Sequence, residues 1–278
     1  MIVYLNGELL DASEARISPF DRGLLVGDGV FETLRVYRGV PFAWRRHMTR
    51  LALSAAGLGL EVPHATSLSD GAEAVIAANN LSEARLRITV TGGEGPPGTS
   101  RAGTRPTILI VAVPFEPWKN AVDVVIVPWS RNEGGAVAGL KTISYAENVR
   151  ALAYAEERGA GEAIFPNTRG QLCEATGSNL FVVRGGVLRT PPGSAGCLLG
   201  VTRALILEVC PDADVPAEEA ELAPDDLRSS DEAFLSSTTR EVHPITRVDG
   251  VALPSAPGTV TSLVAEAYRA LVARDLDP

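Results

Sequence analysis

Lysine is nearly absent from this sequence: of 25 basic residues only Lys119 and Lys141 are lysines, and the rest are arginines. Coding bias accounts for an arginine-rich surface. Arginine cannot, however, replace a primary amine that must lose a proton and form a Schiff base. Cysteine and histidine are also scarce, at three each. Cys173, Cys197 and Cys210 lack metal-ligand spacing and would leave one thiol unpaired if two joined, so the expectation is reduced core thiols in a cytoplasmic protein. The scattered histidines offer no zinc site. Basic charge is outweighed, with a net charge of −9, which argues against a nucleic-acid partner, since a phosphate backbone needs clustered Lys and Arg. No apolar run has the length of a membrane span, and the opening MIVYLNGELL alternates like a strand rather than a signal peptide.

What is present reads as α+β. Asn6-Gly7, between Ile2–Leu5 and Glu8–Asp11, is a strong hairpin signal, and Arg38-Gly39 separates Val30–Val36 from Val40–Ala43. Helices are expected from about Arg45 to Leu58 and from about Leu68 to Asn79, then strands at Leu86–Thr91 and Thr107–Val113 around a glycine- and proline-rich loop. Residues 1–114 form a small α+β domain on this reading, 115–121 a linker, and 122–278 a larger domain that binds the cofactor. In the larger domain Ser144 and Glu147 have capping-box spacing for a helix ending near Gly159. Strands at Glu162–Phe165, Leu172–Thr176, Asn179–Val183 and Glu232–Ser236, with helices near Val201–Val209 and Thr259–Arg274, complete it.

Several segments carry chemistry suited to a phosphate-bearing ligand, which needs a cation, free N–H groups at a helix start and small hydroxyls. LLGVTRAL places Gly200, Val201 and Thr202 at a helix start, SSTTRE supplies Ser237, Thr238 and Thr239 after a strand, and HMTRL puts Arg50 on the early helix. Glu174 follows a strand and precedes ATGSNLF; a carboxylate beside a pyridine nitrogen keeps that nitrogen protonated. Singly each segment also reads as a cap, a turn or a surface residue.

Taken together and in order, NGELLDASEARISPFDRGLLVGDGVFETLRVYRG, HMTRL, GLKTISYAENVRAL, EATGSNLF, LLGVTR and SSTTREVHPI make the chain resemble the class IV (fold type IV) pyridoxal-phosphate enzymes over almost its whole length. These include D-amino-acid and branched-chain aminotransferases, certain (R)-amine transaminases and 4-amino-4-deoxychorismate lyase. The resemblance implies a small α/β domain plus a larger domain with a β-barrel-like core, pyridoxal 5'-phosphate as cofactor, and a homodimer. It implies that Lys141 holds the cofactor and moves the proton, and that Glu174 pairs with the ring nitrogen. Arg50, Val201, Thr202 and Thr238, with Thr239 beside it, would hold the phosphate, and Ser178 and Asn179 would support the ring's surroundings.

The substrate is less constrained. D-amino-acid aminotransferases of the best-known type carry an arginine in a T-R-G segment and a tyrosine on the early strand; here the stretches read Thr91-Gly92-Gly93 and Gly29-Val30-Phe31. With both missing, Arg87, Arg35 and Arg131 are the candidates for a substrate carboxylate, with Phe31 on the pocket strand. The leading expectation is a transaminase moving the amino group of a small amino acid, D favoured over L, to a 2-oxo acid by a ping-pong route. The alternatives are 4-amino-4-deoxychorismate lyase, giving 4-aminobenzoate and pyruvate, a branched-chain L-amino-acid aminotransferase, and a cofactor carrier without turnover, which would need neither Lys141 nor Glu174.

Overall fold

The computed structural model describes residues 1–101 and 104–278. Residues 102–103 of the glycine- and proline-rich loop lie outside the described residues. The chain separates into two compact units, Met1–Glu116 with Leu140–Tyr145 and Leu276–Pro278, and Pro117–Gly139 with Ala146–Asp275. Two short segments that a single break at 115–121 would leave in the larger domain therefore pack with the first unit, and Lys141 is in one of them. Backbone pairing with a strand far away in sequence puts it there, as shown below.

The first unit is an antiparallel sheet backed by helices. Its elements are β1 (Ile2–Leu5), β2 (Glu8–Asp11), α1 (Arg22–Val26), β3 (Gly29–Tyr37), β4 (Val40–Pro41), α2 (Trp44–Leu58), α3 (Ala65–Ala78), β5 (Ala84–Thr91) and β6 (Thr107–Pro114). The strand order is β2-β1-β6-β5-β3-β4. Alternation decides which face is covered. Val30, Leu34 and Val36 of β3 join Leu86, Ile88 and Val90 of β5 and the apolar sides of α2 and α3 in one core. Phe31, Thr33 and Arg35 point to the other face, as do Arg85, Arg87 and Thr89 on the paired strand, where Thr33 stands opposite Arg87. Glu32 shares the helix-side face with the core residues, yet is fully buried there.

The second unit contains β7 (Val122–Ile126), α4 (Ala146–Glu156), β8 (Glu162–Pro166), β9 (Leu172–Ala175), β10 (Asn179–Arg184), β11 (Val187–Thr190), α5 (Val201–Val209), β12 (Ala217–Glu219), α6 (Pro224–Arg228), β13 (Glu232–Ser237), β14 (Glu241–Val248), β15 (Val251–Ala252) and α7 (Thr259–Arg274). Its sheet runs β12-β11-β10-β13-β14-β7-β8-β9, with β15 on β14. A tight turn closed by the Ala175 N–H on the Ser178 carbonyl (2.8 Å) carries β9 straight into β10, so the path from β10 to β9 curls back on itself as a barrel. Leu172, Leu180, Val182, Leu235 and Ile245 fill one side, while α4 packs Ala151 and Ala155 against Val125, Ala163 and Phe165 on the other. Cys173, Cys197 and Cys210 are free and buried, and burial pushes the Cys197 thiol up to about 12. No helix of the described residues is long and apolar enough to cross a membrane.

The start of α4 departs from the capping-box expectation. The Ser144 hydroxyl donates to the Gly27 carbonyl (2.9 Å), and Glu147 stands 3.5 Å from Arg131. The far end follows expectation, with Gly159 at φ +74 just past the helix.

Candidate active site

In the first unit Lys141 is held by its backbone. The 141–143 segment occupies the edge of β3 at its start, through the Phe31 N–H on the Lys141 carbonyl (3.1 Å) and the Ile143 N–H on the Gly29 carbonyl (2.9 Å). The Lys141 N–H donates to Ser54 Oγ at 3.0 Å. Ser54 lies one helical turn beyond Arg50 on α2, so one helix face positions both residues. The Lys141 amine sits 4.4 Å from the Phe31 ring centroid. The Arg87 guanidinium lies 3.7 Å from the same centroid, with its Nε donating to Thr89 Oγ1 at 3.1 Å. Tyr145 meets Phe31 edge-on at 5.2 Å. Lysine amine, arginine cation and aromatic ring therefore form one cluster.

Behind it lies a buried polar group that sequence reading passed over. Glu32 accepts from Arg50 Nε at 2.8 Å and Nη2 at 2.7 Å, and from His47 Nδ1 at 2.7 Å. Burial opposes a charge on Glu32, but Arg50 more than offsets it, and the carboxyl is held down at about 2. Burial also keeps His47 below its ordinary range, against the pull of Glu32. A bidentate carboxylate fixes the planar guanidinium of Arg50 in orientation as well as in place. Two signals pointed to this group: a glutamate at a core-facing position of an alternating strand, and a His-x-x-Arg spacing that puts both side chains on one helix face.

In the second unit Glu174 takes Arg131 Nη1 on one oxygen (2.8 Å) and the Leu198 N–H on the other (3.0 Å). Asn179 Nδ2 donates to the Leu198 carbonyl at 2.7 Å. Leu198 is thus clamped on both sides, and it leads directly into Gly200, the residue before α5. The residue before that helix, Gly200, has no side chain to cap it, and a Cβ there would fall 2.1 Å from Asn179 Oδ1 and would have to displace that amide. Val201 and Thr202 are buried in the first turn. Asn179 opposes Ser236 across β10 and β13, which puts Ser178 and the Thr238-Thr239 turn at the same sheet edge. Arg240 anchors that turn: it reaches Glu162 at 3.3 Å, His243 Nδ1 at 2.7 Å, and the Trp118 ring at 3.9 Å.

Two of the three carboxylate candidates are occupied elsewhere. Arg35 lies buried at the far end of β3, donating to the Val36 and Ala84 carbonyls and to Glu83, with its plane 3.5 Å from the Phe115 centroid. It is a strand-end clamp. Arg131 holds Glu174, donates to Asn148 Oδ1 at 3.1 Å, and lies over Phe165; its place is behind the glutamate. Arg87 is the candidate left beside Lys141.

Because an arginine only donates, His243 Nδ1 must accept, and its proton on Nε2 goes to the Lys119 carbonyl at 2.7 Å. Burial and Arg240 push His243 below its ordinary value of 6.5, as burial does His47. A histidine with a lowered folded pKa binds fewer protons folded than unfolded, so stability is lost as pH falls below about 6.5. We expect the thermal midpoint to decline from about pH 7 to about pH 5, and less steeply in His243→Asn. A midpoint flat across that range would contradict both assignments.

This topology, with a lysine pinned to the edge of the first unit's sheet and a curled sheet in the second, defines a pyridoxal-phosphate enzyme of fold type IV. Comparison with known proteins agrees. The model of the family "Amino-transferase class IV" matches residues 29–248. The chain is 33% identical over 275 residues to a Methanocaldococcus jannaschii protein provisionally named as a branched-chain-amino-acid aminotransferase, covering 97% of this chain and 96% of that one. It is 32% identical to the D-alanine aminotransferase of Bacillus licheniformis, at 97% and 96% coverage. Among solved structures, the branched-chain aminotransferase of Thermoproteus uzoniensis with norvaline superposes with a TM-score of 0.92 at 33% identity, covering 98% of this chain and 94% of that one. The chain belongs to the class IV aminotransferases, whose cofactor is pyridoxal phosphate.

The residues fit that cofactor. Ser178 Oγ is buried with no hydrogen-bond partner among the described residues. The α5 start offers N–H groups that its own N-cap residue, Gly200, cannot cap, and Glu174 is a carboxylate kept in place by two donors.

Proposed function

We propose that the enzyme transfers the amino group of a small amino acid, the D-enantiomer preferred, to a 2-oxo acid by a ping-pong route. The observation that carries this is the cluster of Lys141, Phe31 and Arg87: an amine able to move a proton, beside a cation able to hold a carboxylate. Preference for the D-enantiomer is supported by several relatives named D-alanine aminotransferase along nearly the whole chain.

Pyridoxal phosphate, when bound, supplies an electrophilic carbon for the amine and an electron sink for the substrate's α-carbon. Lys141 would hold it through Nζ, then take the α-proton and return it. Arg50, oriented by Glu32, would grip the phosphate together with the Val201 and Thr202 N–H groups, the Thr202 hydroxyl, Thr238 and Thr239. Glu174 would keep the ring nitrogen protonated, with Arg131 preserving the charge of the glutamate. Ser178 and Asn179 would line the ring's surroundings, with Asn179 also fixing the approach to α5.

Arg87 would take the substrate carboxylate. A charge-assisted pair of this kind is worth about 1.5–3 kcal/mol. We expect Arg87→Ala to lower kcat/KM for amino acids by roughly 10- to 100-fold, mostly through KM, and to leave simple amines nearly untouched. An equal effect on amines would remove Arg87 from the carboxylate site.

We place the enzyme in the cytoplasm, in keeping with its three free thiols, and as a homodimer. Ile17, Phe20, Leu24, Leu25 and Val26 expose apolar side chains within ten residues of one another, the kind of patch a partner subunit covers. The direct test of the function is a half-reaction: D- and L-amino acids are added separately to the holoenzyme and the lysine-bound chromophore is followed. Bleaching by D-alanine or D-glutamate supports the proposal. Bleaching by L-amino acids alone moves it to the branched-chain side, and no bleaching by either favours 4-amino-4-deoxychorismate lyase.

A further inference from the structure

We infer that Leu276–Pro278, the segment following α7, is a clasp that sets the grip of Arg50 on the cofactor phosphate, with Asp277 as its positioning residue. Helix α2 begins badly on its own. The residue before it, Ala43, is left-handed at φ 55 and has no side chain able to cap, although a helix start needs an oxygen on its second or third N–H. Asp277 supplies that oxygen from 232 positions away: its Oδ1 accepts from the Arg45 N–H at 3.0 Å. Its Oδ2 takes Arg45 Nε at 2.7 Å, and its carbonyl takes Arg45 Nη2 at 2.6 Å. On either side, the Leu276 carbonyl accepts the Ala43 N–H at 2.7 Å, and the Pro278 carbonyl accepts from Arg46 Nε at 2.9 Å.

The clasp is joined to Arg50 by an unbroken run of hydrogen bonds. Leu276 holds Ala43; the Ala43 carbonyl accepts the His47 N–H at 3.1 Å; His47 Nδ1 meets Glu32; and Glu32 takes Arg50 in two bonds. His47 and Glu32 are buried and Arg50 is partly so, so a shift of the first turn has little solvent to absorb it. Much of the clasp itself is exposed, and the Arg45–Asp277 ion pair alone would contribute little. Its effect comes from the cap on the Arg45 N–H and the Ala43–Leu276 backbone bond, which fix where α2 starts. The pattern has a sequence trace: an uncappable alanine before a well-marked helix, with an aspartate near the end of the sequence.

This inference rests on the reading of Arg50 as the phosphate ligand, and the test separates the two. Holoenzyme is loaded with pyridoxal phosphate or with pyridoxal, which lacks the phosphate, and cofactor release on dilution is followed by loss of the lysine-bound chromophore. Asp277→Ala should release pyridoxal phosphate roughly fivefold faster, the usual scale for a lost cap, and pyridoxal at the unaltered rate. Asp277→Asn, whose amide oxygen can still cap Arg45, should stay within about twofold of the unaltered enzyme. Equal acceleration of both cofactors by Asp277→Ala, or of neither, overturns the clasp, as does an Asp277→Asn variant as leaky as the alanine. Arg50→Gln is the control: it should bring the two release rates together. If Arg50→Gln does so while Asp277→Ala is silent, the clasp alone falls. If Arg50→Gln leaves the two rates as far apart as before, the phosphate reading falls and the clasp with it.

Discussion

Lys141→Ala is expected to lose the long-wavelength absorbance of the lysine-bound cofactor and to reduce turnover by about 10⁴-fold, the upper range for removal of a positioned acid–base group. The physical reason lies in the setting of the side chain. Its backbone is fixed by Ser54 and by β3, so the amine cannot be replaced by a neighbour sliding into place. The other lysine, Lys119, lies outside the segment that pairs with β3; its carbonyl is committed to His243 in the second unit. Lys141→Arg should be no better than alanine, because a guanidinium keeps its proton. Pyridoxal phosphate should still bind through its phosphate, though more weakly. Turnover within tenfold of the unaltered enzyme would exclude Lys141 from the chemistry.

The second large effect is expected at Glu174. Glu174→Gln keeps the shape and one accepting oxygen but removes the charge and turns the other position into a donor, leaving Arg131 only the more distant Glu147, at 3.5 Å, as its anion. A ring nitrogen that is no longer held protonated is a poorer electron sink. The amino-acid half-reaction should slow by roughly 10²-fold, a scale typical for loss of one preorganised electrostatic partner. Cofactor retention should change far less, because none of the groups proposed to hold the phosphate is altered and Asn179 still holds the Leu198 carbonyl. That split between rate and retention checks the role: a variant that loses cofactor in proportion to rate would make Glu174 a structural residue. Arg131→Ala should show a weaker form of the same phenotype, since it acts through Glu174.

Much of this arrangement was legible from residue pattern. Helices α5 and α7 occupy the expected residues because their apolar spacing and their glycine starts are local signals. What was not legible depends on pairing over long separations. The 140–145 segment joins the first unit only because the edge of β3 is open at Gly29–Phe31, which no local pattern encodes. The parallel pairing of β14 with β7 is of the same kind. Arg35 and Arg87 share one face of the sheet, so alternation could not separate them. Position along the strand does: Arg35 reaches Glu83 and Phe115 at the far end, whereas Arg87 reaches Phe31. Glu32 was hidden by its setting, since a single carboxylate in an apolar alternation is outweighed by its neighbours until a partner helix brings His47 and Arg50 to it.

Lys141 is the proposed anchor of the cofactor, and the scarcity of lysine makes a clean test possible. Holoenzyme is reduced with borohydride, digested, and the peptides weighed. The reduced phosphopyridoxyl group is expected on the peptide containing Lys141 and none on the peptide containing Lys119. Label on Lys119 or on the amino terminus, with Lys141 unmodified, would contradict it.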